Sequence, residues 1–554
     1  MTPRRASRPV LALAALGSLV ASARAQYCSK VFGPFDREVH VSQSVQYDQI
    51  WPQPSRGPTG WTFAWSEGQD VFARRFDAAL APLGAQYKVN TTYDAGIQDE
   101  PAIATATNGN VLIAWSDRNG YDGSAMGIFA RLYSASGAPL TGEFVVTVNR
   151  AASQWRPLLA PTPAGGFVVA WSGDSDGNAY FRVLAQNGAF STGDVRANVY
   201  GSDAQVDPSV AVAPNGTIFV AYLDYSGSSG NGLALFGRTF DAAGNPQQPV
   251  EFPITSWASA GSQRDPRVAA DSLGRFFVAW EDSANEGAGY GIFARVFNAA
   301  GNALAPEFVV DSTTASDQRQ PRIAVDALGR ALVAWVDFSA GFGHPAIRAR
   351  RFNAQANPEG PDFVVNESPT TGVAVPAVGM DAGGREMVVA FQGPGAPGQG
   401  IDVYAKRFLF TAGPHVYCAS KPNSLDCLAQ VGFQGGASWT SLAPFWISAT
   451  SAINRRPALL LYGQGSSFAP YYGATICIAP PLRTLPFQTT GGNPTGTDCS
   501  GAMSVDFNAY LRSGADPGLI PGSTVGARWY YRDVLDPTGY ATGLSNAVRF
   551  AICP

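Results

Sequence analysis

From Pro321 onward, apolar and polar residues alternate with a period of two through PRIAVD and, after a turn at Leu328-Gly329, through ALVAWVD, AIRARRFN and PDFVVN. Such alternation predicts short, half-buried strands, because successive side chains of a strand point to opposite faces. The same order of segments returns along the chain. Aligned on the aromatic that follows an alanine, the copies fall at Trp65, Trp115, Trp171, Tyr222, Trp280, Trp335 and Phe391. A proline stands upstream of each, at Pro52, Pro101, Pro157, Pro208, Pro266, Pro321 and Pro376. The aromatics are 50, 56, 51, 58, 55 and 56 residues apart by subtraction, too regular for chance and irregular enough for loops of differing length. Four antiparallel strands per repeat of about this size predict the blades of a β-propeller. No helical period is sustained anywhere in these units.

The strand inventory predicts how the ring closes. Seven copies supply the first three strands, but after Phe408 the chain runs into unrelated sequence without a fourth. Glu38-Val39-His40-Val41 reads like the fourth strands at Phe308-Val309-Val310 and Phe363-Val364-Val365, so the N-terminal strand is expected to complete the last blade. Closure of this kind leaves no free sheet edge. The fold expected is therefore all-β: a seven-bladed β-propeller over residues 37–410, preceded by a segment at 26–36 and followed by a β-sandwich over 411–554. That last region offers strand-like pieces such as ALLLYG, MSVDFNAYL and AVRFAIC, with one possible helical turn at Phe507–Arg512.

Two recurring polar features have a structural and a functional reading. Third strands carry Arg74, Arg131, Arg182, Arg238, Arg295, Arg350 or Lys406. A residue present in every copy is expected to serve the architecture, pairing with an acid or a backbone carbonyl of the neighbouring blade. A glutamine three residues before the proline recurs with an acid two residues after the aromatic, as in Gln98 with Asp117, Gln205 with Asp224, Gln263 with Asp282 and Gln318 with Asp337. These pairs are expected to hydrogen-bond and pin two loops on one face. As a functional reading, the same eight residues form a polar rim that binds a ligand at the channel mouth. Loops in which the copies disagree, such as 283–290, are the other place to look for function.

Composition adds the cellular setting. Arg4, Arg5 and Arg8 precede an apolar run from Val10 to Val20 and an Ala-Arg-Ala ending at Ala25, the pattern of a secretory signal peptide over residues 1–25. No stretch approaches the roughly 20 apolar residues of a membrane-spanning helix. Net charge is −4 without a basic run, so nucleic acid is not an expected partner. Six cysteines, Cys28, Cys418, Cys427, Cys477, Cys499 and Cys553, suit disulfides in an exported chain. Five lie beyond residue 417, so Cys28 is expected to pair with one of them. Cys477 is expected to pair with Cys499.

The motifs GGFVVAW and GIFARVFNAAGNALAPEFVVD resemble tandem repeats of large secreted bacterial proteins, in which an FVVAW-type strand is followed by an IYAQRFD-type strand. The region carrying Tyr417-Cys418, Asn423-Ser424-Leu425-Asp426-Cys427, Cys499-Ser500-Gly501 and the terminal Ile552-Cys553-Pro554 resembles a C-terminal module appended to many such proteins. The resemblance implies export and life at the cell surface or outside it, and implies no particular activity.

Chemical signatures are few. His40, His344 and His415 show no metal-ligand spacing, and neither a Gly-x-Ser-x-Gly elbow nor a phosphate-binding glycine loop is present. No Ser-x-Asp-x-Gly-x-x-Trp box, expected of sialidase-like propellers, is complete. Asp174, Asp176 and Asn178 offer oxygen ligands for calcium in a short acidic turn that lacks the full EF-hand pattern. With no catalytic residue assigned, the expected function is that of a secreted or cell-surface protein whose propeller loops bind a glycan or protein ligand. The alternative is a carbohydrate-active hydrolase or lyase that uses channel-face carboxylates.

Overall fold

The computed structural model describes residues 30–553, except 35–37, 44–45, 124, 150–152, 174–176, 201–202, 226–232, 256–260, 284–288, 314, 360, 368–371, 396–399, 413, 466–468 and 522. The expected signal peptide and Cys28 lie outside the described residues. Two compact units result, one formed by Glu38–Arg407 and one that contains Phe408–Pro554 and the segment before residue 38.

The first unit is a succession of antiparallel sheets. Six of them hold four strands each, joined in sequence order. In one, Gln318–Val325, Ala331–Asp337, Ala346–Phe352 and Phe363–Val364 pair in turn. A further sheet contains Ala374–Met380, Glu386–Pro394 and Ile401–Ala412, and there the outer strand comes from the other end of the chain: Val39 lies opposite Ala405 and His40 opposite Tyr404. The expected N-terminal strand is thus in place.

Apolar residues shared by neighbouring sheets make the core. The repeat tryptophans Trp65, Trp115, Trp171, Trp280 and Trp335 are completely or almost completely buried, each packed with residues of the adjoining sheet. The first sheet packs against the last in the same way, Trp61, Phe63 and Trp65 meeting Val388, Ala390, Val403 and Ala405. Successive four-stranded sheets that return to their starting point fit a propeller.

Third-strand basic residues bind backbone carbonyls just beyond the outer strand of the preceding sheet. Nη1 of Arg131 donates to the carbonyl of Val89 at 3.0 Å, Arg295 to Ile254 at 2.9 Å and Arg350 to Val310 at 2.9 Å. Arg74 does the same to Val41 at 3.0 Å, across the junction of the first and last sheets. Lys406, the basic residue of the last copy, pairs with Glu367 at 3.7 Å.

In the second unit, a sheet that includes Pro457–Gln464, Thr524–Arg532 and Thr542–Ala551 and a three-stranded sheet of Gln430–Gln434, Trp446–Ala452 and Gly501–Asp506 bury one common core. Phe445 and Ile447 pack there with Leu460, Trp529 and Phe550. A helix at Phe507–Arg512 starts at Asp506, whose side chain accepts the Asn508 N–H. The disulfides are Cys418–Cys477 and Cys427–Cys499, which corrects the expected Cys477–Cys499 pairing. The reason is the local packing. Tyr417 donates its hydroxyl to the Cys477 carbonyl at 2.5 Å, which brings the residue after it alongside Cys477. Closing loops of 59 and 72 residues contributes about 4 kcal/mol each on the chain-entropy account.

Candidate functional site

Each inner strand carries a bulge at the repeat proline. Pairing is regular up to the second residue of the strand, breaks, and resumes beyond the proline, as between Asp99 and Ala102 or Arg264 and Arg267. The residue before the proline takes a positive φ in every copy: Trp51 (55°), Glu100 (52°), Arg156 (54°), Asp207 (52°), Asp265 (50°), Gln320 (56°) and Val375 (47°). Residues before proline ordinarily favour extended backbone, and positive φ is rare for Trp and Val. Its recurrence marks a constructed feature that re-aims side chains, the usual use of a bulge.

Neighbouring sheets hold these positions in place. The Asp207 N–H donates to Ser172 Oγ at 2.9 Å, the Gln320 N–H to Glu281 at 2.7 Å and the Val375 N–H to Gln320 Oε1 at 3.0 Å. All seven pre-proline side chains line one cavity of about 390 Å³. Backbone geometry is common to the copies, while the side chains are an aromatic, three acids, an arginine, an amide and a valine.

The cavity is charged and the charges interlock. Arg156 bridges Glu100 at 3.3 Å and Asp207 at 2.6 Å. Asp265 receives Arg267 at 2.5 Å and Arg322 at 2.8 Å. Arg319 spans Glu281 at 3.3 Å and Asp317 at 2.9 Å, and its guanidinium lies 3.6 Å from the centre of the Tyr290 ring. Tyr225 and Trp51 add aromatic surface to the lining. A narrower cavity of about 140 Å³ includes Gln53, Ser209, Arg267 and Arg322 in its lining.

Two carboxylates of the site differ in acidity. Burial raises the Glu281 carboxyl above the ordinary glutamate value, and the charge of Asp265 adds to the effect. Burial also opposes the charge of Asp265, but Arg267 and Arg322 outweigh it and hold that carboxyl below the usual aspartate value. At neutral pH Asp265 is ionised, and Glu281 is the group more ready to keep a proton.

The eight residues of the expected polar rim lie elsewhere. Gln98 donates to Asp117 at 3.1 Å, Gln205 to Asp224 at 3.3 Å, Gln263 to Asp282 at 3.2 Å and Gln318 to Asp337 at 3.2 Å. All are buried, each pair joining the first residue of an inner strand to the last of the second strand. The cavity lining begins one residue further along the same inner strands, at Arg264 and Arg319, or two residues further, at Glu100 and Asp207. Of the calcium candidates, Asp174 and Asp176 lie outside the described residues, as do 284–288 of the variable loop. Asn178 accepts a hydrogen bond from Asn198 at 2.7 Å. Among the described residues, no group of three or more acidic, histidine or cysteine side chains is arranged to hold a metal ion.

Sequence reasoning passed over the pre-proline residues and Glu281. Their signal was present: the position before each invariant proline is never the same residue twice except for Asp207 and Asp265, and the position of Glu281 holds Ser66, Ser116, Ser172, Leu223, Val336 or Gln392 in the other copies.

Comparison with models of protein families and with curated proteins gives no match. Among solved structures, the chain is similar to polysaccharide lyase Uly1, with TM-score 0.44 and 10% identity over 68% of this chain and 100% of that one. It is similar to a Dyadobacter fermentans protein of unknown function, with TM-score 0.43 and 10% identity over 68% of this chain and 99% of that one. A third is an α-L-arabinanase of Penicillium chrysogenum complexed with arabinobiose, with TM-score 0.41 and 17% identity over 56% of this chain and 92% of that one.

Proposed function

We propose that Glu38–Arg407 is a seven-bladed β-propeller that binds a glycan at its channel mouth, carried by an exported protein whose second unit is a disulfide-stabilised β-sandwich. The observation that carries this reading is the set of seven pre-proline positions, identical in backbone and varied in side chain, that opens on one cavity. Repetition without chemical identity is what a rigid scaffold with a specialised surface looks like. Interlocked guanidinium and carboxylate groups offer oriented donors and acceptors for hydroxyl-rich ligands. Trp51 and Tyr225 offer flat surfaces for the apolar face of a sugar ring. Export is supported by the N-terminal sequence pattern and by two disulfides, and no helix among the described residues is long and apolar enough to cross a membrane. Glycan-array binding by the intact protein, compared with Trp51→Ala, tests the reading. Equal binding by both, or binding of proteins alone, counts against it.

A second reading is favoured by Glu281 and Asp265, which line the same cavity with acidities moved apart. Such a division suits a proton donor and an ionised partner in glycosidic-bond cleavage. Under this reading Glu281→Gln abolishes turnover of a bound polysaccharide while binding persists. Absence of turnover by the wild-type protein on every polysaccharide it binds removes this second reading and leaves the first.

A further inference from the structure

We propose that Arg267 and Arg322 form an anion-binding floor to the cavity, so that the glycan taken there carries a carboxylate or a sulfate. This deepens the glycan reading of the same site and rests on it. Both residues directly follow the repeat proline, where the other copies place uncharged side chains: Gln53, Ala102, Leu158, Ser209 and Ala377. Charge at this depth therefore belongs to two adjacent copies and not to the architecture.

Two guanidiniums share one carboxylate. Arg267 meets Asp265 Oδ1 at 2.5 Å and Arg322 meets Oδ2 at 2.8 Å, so both oxygens of the single acid are taken and one positive charge is left over. Their further hydrogen bonds go to uncharged acceptors, the carbonyls of Pro266 at 2.9 Å and Pro321 at 2.7 Å. Nε of Arg267 is buried with no acceptor. Desolvated cations are costly unless paired, so an anion that enters gains more here than at an exposed arginine. Burial, followed by repulsion from Arg322, brings the Arg267 guanidinium down to about 10, which leaves it protonated at neutral pH. Across the cavity lining as a whole, five arginines (Arg156, Arg264, Arg267, Arg319, Arg322) face four carboxylates (Glu100, Asp207, Asp265, Glu281). A carboxylate or a sulfate presents two oxygens to the fork of a guanidinium and binds through two hydrogen bonds, a geometry that lysine does not reproduce.

The test is calorimetric titration of the full-length protein with oligogalacturonate as the carboxylated probe, dextran sulfate as the sulfated probe and neutral dextran oligosaccharides. The expected result is binding of at least one acidic probe, at least tenfold weaker in Arg322→Gln and tighter in Asp265→Asn, which removes the competing internal acid. The probe that responds identifies the acidic group. Opposite shifts in the two variants distinguish ligand contact from damage to the fold, since loss of an ion pair alone weakens binding in both. Where Arg322→Gln does not fold, Asp265→Asn decides by itself. Binding of the neutral probe with no preference for acid, or weakening in both variants, overturns the anion site and leaves the glycan reading intact. Binding of no saccharide by the folded protein overturns both.

Discussion

Trp61 donates its indole N–H to Glu386 Oε1 at 2.8 Å across 325 residues of sequence, and the other carboxylate oxygen meets Arg56 at 3.0 Å. One acid thus joins the first repeat to the last. Glu386→Ala leaves a buried indole N–H without an acceptor and a cation without its partner. The expected cost is about 3 kcal/mol, read from denaturant unfolding of residues 38–407 in the intact protein. A loss below about 0.5 kcal/mol contradicts the junction.

Removal of residues 26–43 takes away the strand opposite Tyr404 and Ala405 and the Val41 carbonyl that receives Arg74. The last sheet is left with an open edge. Differential scanning calorimetry is expected to show a lower melting temperature than for the full chain. An unchanged value refutes closure by this strand.

Trp335 is fully buried among Val296, Val310 and Phe352. Its replacement by alanine is expected to cost about 3–5 kcal/mol. Trp280→Ala, in the adjoining sheet, is expected to cost a similar amount. Near-neutral values for both mean that the repeat aromatic does not hold neighbouring sheets together.

In the second unit Lys421 Nζ donates to Asp536 Oδ2 at 2.5 Å with both side chains buried. Burial opposes the Asp536 charge, but the bonds from Lys421, Thr538 and Thr542 outweigh it and hold the carboxyl well below the ordinary aspartate value. A depressed folded-state pKa stabilises the fold above the unfolded value near 4, and the contribution fades as pH falls through the acid range below it. Asp536→Asn is therefore expected to lower stability at pH 7 and to flatten its fall between pH 4 and pH 2. An equal difference between wild type and variant at every pH contradicts the linkage.

How much of this was legible beforehand differs by element. Trp335 and Arg350 recur in every copy as an aromatic and a basic residue, so period-two alternation around them was enough to place four strands and to notice the one missing at the end. That such a basic residue serves the architecture followed from the same recurrence, which left an acid or a backbone carbonyl open as its partner; Arg350 takes the Val310 carbonyl. Asp265 was not legible as a cavity residue. A residue before proline is expected to be extended, and the bulge that turns it inward depends on the neighbouring sheet, where Glu281 and Ser172 receive pre-proline N–H groups. The regular repeat belongs instead to Gln263 and Asp282, which satisfy each other. Cysteine pairing was hidden for a related reason: Cys477 and Cys499 are nearer in sequence, but Tyr417 binds the Cys477 carbonyl and fixes Cys418 as its partner.

Under the proposed function, the varied pre-proline positions form a glycan site at the channel mouth. Its most direct measurement is glycan-array binding by the wild-type protein and by a variant combining Trp51→Ala with Arg156→Ala, two residues of that ring on different sheets. The expected result is binding of at least one glycan class by the wild type, and its loss in the variant at an unchanged melting temperature. Equal binding by the two proteins, or no glycan bound by either, contradicts it.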